Sequence, residues 1–134
     1  MKTRKLYLIG ILSIIFFGII NIGCDGGNNK SDEYYVKYEV NSSTMYGPKI
    51  NVTITNESKS NLTIVVNANK PWETIIGPVQ KGFNARLTVN SEPVPLGVVT
   101  LYVQISVSKN NSPFSLKKID TQINYVQINY NIDY

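Results

Sequence analysis

The sequence predicts an all-β protein, an antiparallel β-sandwich of seven or eight strands, immunoglobulin-like in the broad sense, over residues 34–134. Three observations carry that prediction. Apolar and polar residues alternate with period two in segment after segment, the pattern of half-buried strands. Pro, Gly and Asn clusters punctuate those segments at about the spacing of sandwich turns. No helical period follows residue 33. A closed barrel is the alternative arrangement of the same strands.

The first strand begins at Tyr34, with Tyr34, Val36, Tyr38 and Val40 on one face and Tyr35, Lys37 and Glu39 on the other. Aromatic and β-branched residues suit a pleated, half-buried surface. Met45-Tyr46-Gly47-Pro48 reads as a turn. A second strand over residues 49–56 turns Ile50, Val52 and Ile54 inward and Asn51, Thr53 and Thr55 outward. After a polar loop, Leu62, Ile64 and Val66 resume the alternation, and the spacing predicts a hairpin.

Pro71-Trp72 opens a fourth strand to about Ile76, since proline lacks the donor a central ladder needs. Gly77-Pro78 is expected to bend the chain and Lys81-Gly82 to turn it, ahead of a fifth strand with Phe83, Ala85, Leu87 and Val89. Residues 92–97 (EPVPLG) form a rigid connector. The longest strand, residues 98–108, turns Val99, Leu101, Val103, Ile105 and Val107 inward and Thr100, Gln104, Ser106 and Ser108 outward. A turn at residues 109–113 leads to a short strand near residues 114–118. The last strand, Ile123 to about Ile132, carries Val126, Ile128, Tyr130 and Ile132 on one side.

Ahead of the sandwich stands a different kind of segment. Lys2, Arg4 and Lys5 precede an apolar run from Leu6 to Ile22, closed by Gly23-Cys24. A basic start, an apolar middle and small residues at the cut define a secretory signal. The run is interrupted by Gly10, Ser13, Gly18 and Asn21, and is barely the ~20 residues a spanning helix requires. The segment resembles a bacterial lipoprotein signal, which implies cleavage before Cys24 and acylation of that cysteine. Ile22 and Gly23 fit the lipobox, whereas Asn21 stands where an aliphatic residue is usual. An uncleaved anchor is the alternative. Residues 1–23 are thus expected to be a signal peptide, 24–33 a lipidated flexible tether and 34–134 the sandwich, with the protein in the cell envelope, at the outer membrane in preference to the inner.

Removing residues 1–23 leaves 111 of 134 residues, enough for one domain and one core. Thirteen Lys and Arg face nine Asp and Glu in the whole chain. Three of the basic residues lie in the signal, so the remainder stands at ten against nine. The basic balance is a targeting feature and argues against a nucleic-acid partner. Cys24 is the single cysteine, which excludes an internal disulfide.

The sequence contains no His, which removes Ser-His-Asp and Cys-His arrangements and imidazole metal ligands. No phosphate loop or calcium loop occurs, and no cofactor or metal site is expected. Of the scattered carboxylates, Glu39 and Glu73 are the pair to test for acid–base work, which needs two carboxyls facing across a cleft. Aromatic residues remain for binding: Trp72 with Tyr34, Tyr35, Tyr46 and Tyr102. Trp72 and Tyr34 also suit the core. Tyr35 and Tyr102 fall opposite their strands' apolar rows, so Tyr35, Trp72 and Tyr102 are the expected binding surface.

Three pieces carry a family likeness: the VKYEV strand with Tyr38-Glu39-Val40, the Pro71-Trp72 pair before a Thr/Ile strand, and LYVQISVS from Leu101 to Ser108 before a polar turn. Their order is similar to the soluble domain of MmpS-type transport accessory proteins, small membrane-anchored partners of RND-class transporters. It also resembles small lipoproteins of Bacteroides-like bacteria that run lipobox, tether, then a YEV-type strand. The likeness implies a non-catalytic envelope lipoprotein that binds a protein partner as a transport accessory. MmpS-type proteins keep an uncleaved helix and often a cysteine pair, where this chain has Cys24 alone. A surface module binding glycan or host protein through exposed tyrosines is the alternative function.

Overall fold

In a computed structural model, residues 31–44, 47–93 and 97–134 are described. Eight strands follow in chain order: β1 Tyr34–Ser43, β2 Lys49–Thr55, β3 Asn61–Asn67, β4 Trp72–Val79, β5 Asn84–Ser91, β6 Thr100–Lys109, β7 Ser115–Ile123 and β8 Tyr125–Asn131. They form two four-stranded antiparallel sheets, β4-β1-β6-β7 and β3-β2-β5-β8, and so a β-sandwich. Cys24, the signal and most of the tether lie outside the described residues, as do Met45, Tyr46 and residues 94–96 of the connector.

The core is built from the predicted inward rows. Tyr34, Val36, Tyr38 and Val40 of β1 and Leu101, Val103, Ile105 and Val107 of β6 are all buried. They meet Ile50, Val52 and Ile54 of β2, Ala85, Leu87 and Val89 of β5, and Val126 and Ile128 of β8. Burying each Val, Leu or Ile contributes roughly 1.5–3 kcal/mol. Because the side-chain period is two, this interior holds the register of every central strand. No buried side-chain nitrogen or oxygen among the described residues lacks a hydrogen-bond partner.

The two sheets are staggered, which the alternation alone does not reveal. On β3 the inward positions Leu62, Ile64 and Val66 are only partly covered, with Leu62 45% exposed. On β7 the inward positions, paired with Ile105, Val103 and Leu101 of β6, are Lys118, Asp120 and Gln122. Each sheet thus overhangs its partner on one side, with an apolar row under one overhang and a polar row under the other.

Four expectations need correction. β4 runs on through Gly77-Pro78 to Val79, because a register shift in β1 between Tyr34 and Val36 takes up the distortion. Gly77 sits at φ 137°, and a Cβ there would meet the Tyr34 carbonyl oxygen at 2.8 Å, so glycine is required. β7 is nine residues long and ends at Ile123, which the alternation assigns to the last strand. Its polar residues face inward, so the period-two rule finds no core row there. Between β7 and β8, Asn124 at φ 63° swings the chain from one sheet to the other. Finally, Ser106 and Ser108 keep the outward parity but are buried, opposite the longer Lys37 and Tyr35.

The start of the sandwich is pinned to the β6–β7 turn. Asp32 accepts from Lys109 at 2.7 Å and from Asn110 at 2.8 Å, while the Glu33 N–H donates to Asn110 Oδ1 at 3.0 Å. The hydrogen bond from the Lys109 ammonium, then that from the Asn110 amide, hold the Asp32 carboxyl below its ordinary 3.8. A lowered folded pKa gives stabilisation that is present above the unfolded value and lost as pH falls through the folded one. The clasp should therefore stay closed at neutral pH and open on acidification below about 3.8. The Glu33 amide resonance should report this in an NMR pH titration, and Asp32→Asn should remove the acid transition. An unchanged transition in Asp32→Asn contradicts the assignment.

Candidate functional site

Three adjacent strands of one sheet, with β7 beside them, shape an open depression of about 610 Å³ on their outer face. β1 contributes Glu39 and Asn41, β4 contributes Trp72 and Glu73, β6 contributes Tyr102 and Gln104, and β7 contributes Ile119. The register explains the grouping. Glu39 pairs with Glu73 on one side and with Gln104 on the other, and Gln104 pairs with Ile119. Directly opposed residues of antiparallel strands point to the same face. Glu73, Glu39, Gln104 and Ile119 therefore form one row across the sheet.

The polar part of the floor is a connected network. Lys37 Nζ reaches Glu39 Oε1 at 2.9 Å and Glu73 Oε2 at 3.0 Å, and Gln104 Nε2 donates to the second Glu39 oxygen at 2.6 Å. Hydrogen bonds to Glu39 first, then Glu73, raise the Lys37 pKa, so the ammonium stays charged. Each Glu39 oxygen has a partner in this network, while the Glu73 side chain remains 65% exposed. One lysine between two carboxylates leaves the row with a net negative charge. The two carboxylates stand side by side with a cation between them, not opposed across a cleft, which is not the disposition of a glycosidase pair.

The apolar part is Tyr102 and Ile119, with Trp72 at its border. Trp72 pairs with the buried Val40, so it lies on the inner side of the sheet and packs half-buried against the core, bordering the depression where β4 begins. Of the two roles that the sequence allowed it, packing on the core is the one seen. Tyr102 is 44% exposed and Ile119 60%. Diagonal neighbours on the sheet extend this stripe along β7 through Leu116 and Ile123, both exposed. Tyr35 is not part of the group. It lies at the other end of β1, paired with Ser108 and in contact distance of Gly77. Tyr34 is in the core, where its hydroxyl donates to the Tyr134 carbonyl and its ring meets Tyr134 edge-on.

Lys37, Asn41, Gln104 and Ile119 are the contributors that sequence reasoning did not single out as site residues. Alternation does place Lys37 and Glu39 on the outer face, but only the strand order brings Gln104 and Glu73 beside them. Among the described residues, no cluster of three His, Cys, Asp or Glu side chains is placed to hold a metal ion.

The site belongs to an antiparallel β-sandwich that offers a shallow aromatic and acidic surface on one sheet face. Compared with known proteins, the chain matches no family model, no curated protein sequence and no solved structure.

Proposed function

We propose that this chain is a non-catalytic lipoprotein of the cell envelope, exported by residues 1–23 and acylated at Cys24, whose sandwich docks a protein partner. The observation that carries the proposal is the difference between the two outer sheet faces. On the β3-β2-β5-β8 sheet the outer residues of the central strands are Asn51, Thr53, Arg86, Thr88 and Asn90, with Gln127 and Asn129 beside them and the exposed Val65 and Tyr125 set apart on its two edge strands. On the other sheet Tyr102, Leu116, Ile119 and Ile123 are exposed around and beside the depression. Contiguous apolar surface rimmed by polar groups marks interaction sites, and aromatic residues in depressions act as anchors. The exposed Glu73 suits a partner with a basic residue flanked by apolar ones. The likeness of the VKYEV, Pro71-Trp72 and LYVQISVS segments to MmpS-type domains motivates a transport-accessory form of this role. The glycan alternative draws on the same depression, where the exposed Tyr102 stands beside amide and carboxylate groups.

A photo-crosslinking side chain at Ile119, introduced into the full-length protein in its native cells, tests the proposal. It should capture an envelope protein that the same side chain at Thr88 does not. A transporter permease or periplasmic adaptor in the product would support the accessory role. No protein adduct at Ile119 beyond that at Thr88 would overturn partner docking and leave the glycan alternative. In the same cells, Cys24→Ser should abolish acylation and membrane retention; unchanged mass and retention would sink the lipid anchor.

A further inference from the structure

We propose that β3 is a self-pairing edge, through which two copies of this chain join their β3-β2-β5-β8 sheets into one continuous eight-stranded sheet. The proposal uses the sheet opposite the depression and does not depend on the partner-docking reading.

A sheet edge exposes a row of backbone donors and acceptors, and proteins protect such rows with charges, prolines, bulges or cover. Three of the four edges here are protected. β4 is flanked by Pro71 and contains Pro78, and its Gly77 N–H is capped by Glu57 at 3.2 Å. β7 has a register irregularity opposite Ile105/Ser106, and Lys118 and Asp120 point inward beneath its overhang. β8 lies against β7 and β6. β3 has none of these devices. Its seven residues, NLTIVVN, contain no charge, no proline and no glycine, and its pairing with β2 is regular throughout.

The geometry of β3 is also self-complementary. The Asn56 N–H donates to the Ser60 carbonyl and the Ala68 N–H to the Pro48 carbonyl, which sets the parity of the β2–β3 ladder. The backbone groups of Leu62, Ile64 and Val66 therefore point to β2, and those of Asn61, Thr63, Val65 and Asn67 point to the open edge. The Asn67 carbonyl there also accepts from Lys70.

Antiparallel pairing about a twofold axis at Ile64 sets Asn61 against Asn67, Thr63 against Val65 and Leu62 against Val66. Every edge-facing backbone group then meets its complement. The partly exposed inward row of Leu62, Ile64 and Val66 is extended by its own copy under the overhang. No like charges are brought together in the ladder. Beyond the ends of β3 lie Glu57 and Lys59 on one side and Lys70 on the other, so no run of like charge faces its copy. Such an interface is isologous, and it closes at two copies. With seven residues a side against the roughly 20–30 of a standard interface, the dimer is expected to be reversible and concentration-dependent.

The test is a cysteine at the axis. At a non-hydrogen-bonded pair the two Cβ atoms approach closely enough for a disulfide. Ile64→Cys in the full-length protein, mildly oxidised in cells, should give a covalent dimer well above the background of the wild-type chain with Cys24 alone. Thr88→Cys in the sheet centre and Lys118→Cys under the opposite overhang should stay at that background. Val65→Pro removes an edge-facing N–H without breaking the β2 ladder, so combined with Ile64→Cys it should abolish the dimer while the circular dichroism stays that of a β protein. Should Ile64→Cys fail to fold, sedimentation of the full-length protein in detergent supplies the second readout. Its mass should rise with concentration, and Val65→Pro should remove the rise. An Ile64→Cys dimer no stronger than that of Thr88→Cys, a dimer that survives Val65→Pro, or a monomer at every concentration would overturn the proposal.

Discussion

Replacing Tyr38 by alanine should lower the unfolding free energy by about 3–5 kcal/mol, the range for removing a large aromatic side chain from a core. Tyr38 is wholly buried in β1, which lies between β4 and β6. Its hydroxyl crosses to the other sheet and donates to the Thr55 carbonyl at the end of β2, at 3.0 Å. The residue therefore fills volume and ties the two layers at once. Tyr38→Phe separates the two roles and should cost only about 1 kcal/mol, the usual net worth of one hydrogen bond. Burial is the main cause that raises the hydroxyl pKa well above its ordinary value of 10.0. A raised folded pKa means stabilisation that is complete below the unfolded value and lost as pH rises beyond it. Wild-type protein should accordingly weaken above about pH 10, and Tyr38→Phe should lack that component. Urea unfolding followed through Trp72, the single tryptophan, measures all three quantities. A Tyr38→Ala cost below that of Tyr38→Phe would refute the packing argument.

Asn124→Ala should cost about 2–5 kcal/mol, although the residue is exposed. Four hydrogen bonds converge on this corner. The Asn124 N–H donates to the Val99 carbonyl at 2.8 Å, and its carbonyl accepts from Ser91 N–H at 2.9 Å. Its side-chain oxygen accepts from the Val99 N–H at 2.9 Å and from the Ser91 hydroxyl at 3.4 Å. Val99 is fully buried, so losing that acceptor strands a backbone donor away from water, at about 1–3 kcal/mol. Alanine also tolerates the left-handed conformation poorly, adding about 1–2 kcal/mol. Asn124→Gly keeps the backbone freedom and loses only the side-chain acceptor, so it should be the milder of the two. Thermal unfolding should rank them in that order; equal midpoints would remove the conformational part of the argument.

The contrast between Tyr38 and Asn124 shows what a sequence reveals of such a fold. Period-two alternation identified the inward rows of β1, β2, β5 and β6 because both faces of those strands sit in contrasting solvents. It failed on β7, where overhang leaves the inward side wet and Leu116, Ile119 and Ile123 face outward. It failed at Asn124 because a corner is a matter of φ, and a lone Asn between two strand-like segments carries no periodic mark. The depression was half legible. Tyr102 was singled out by residue type and parity, and Trp72 by type alone. Tyr35 shares the outward parity but lies at the other end of β1, since parity assigns a face and says nothing of position along the strand. Lys37, Glu39, Glu73 and Gln104 meet only through the strand order β4-β1-β6, which no local pattern encodes.

The Asp32 clasp has a mechanical consequence. The chain reaches the sandwich at Tyr34, and β1 then carries it seven residues to Asn41 at the depression, roughly 23 Å at about 3.3 Å per residue. A pull on residue 31 acts along β1, which is bonded to β4 on one side and β6 on the other. Both ladders are then loaded in shear, so their bonds must yield together instead of one after another. A sandwich gripped at the depression and tugged from Ser31 resists as a lap joint does, with its longest overlap placed on the line of force.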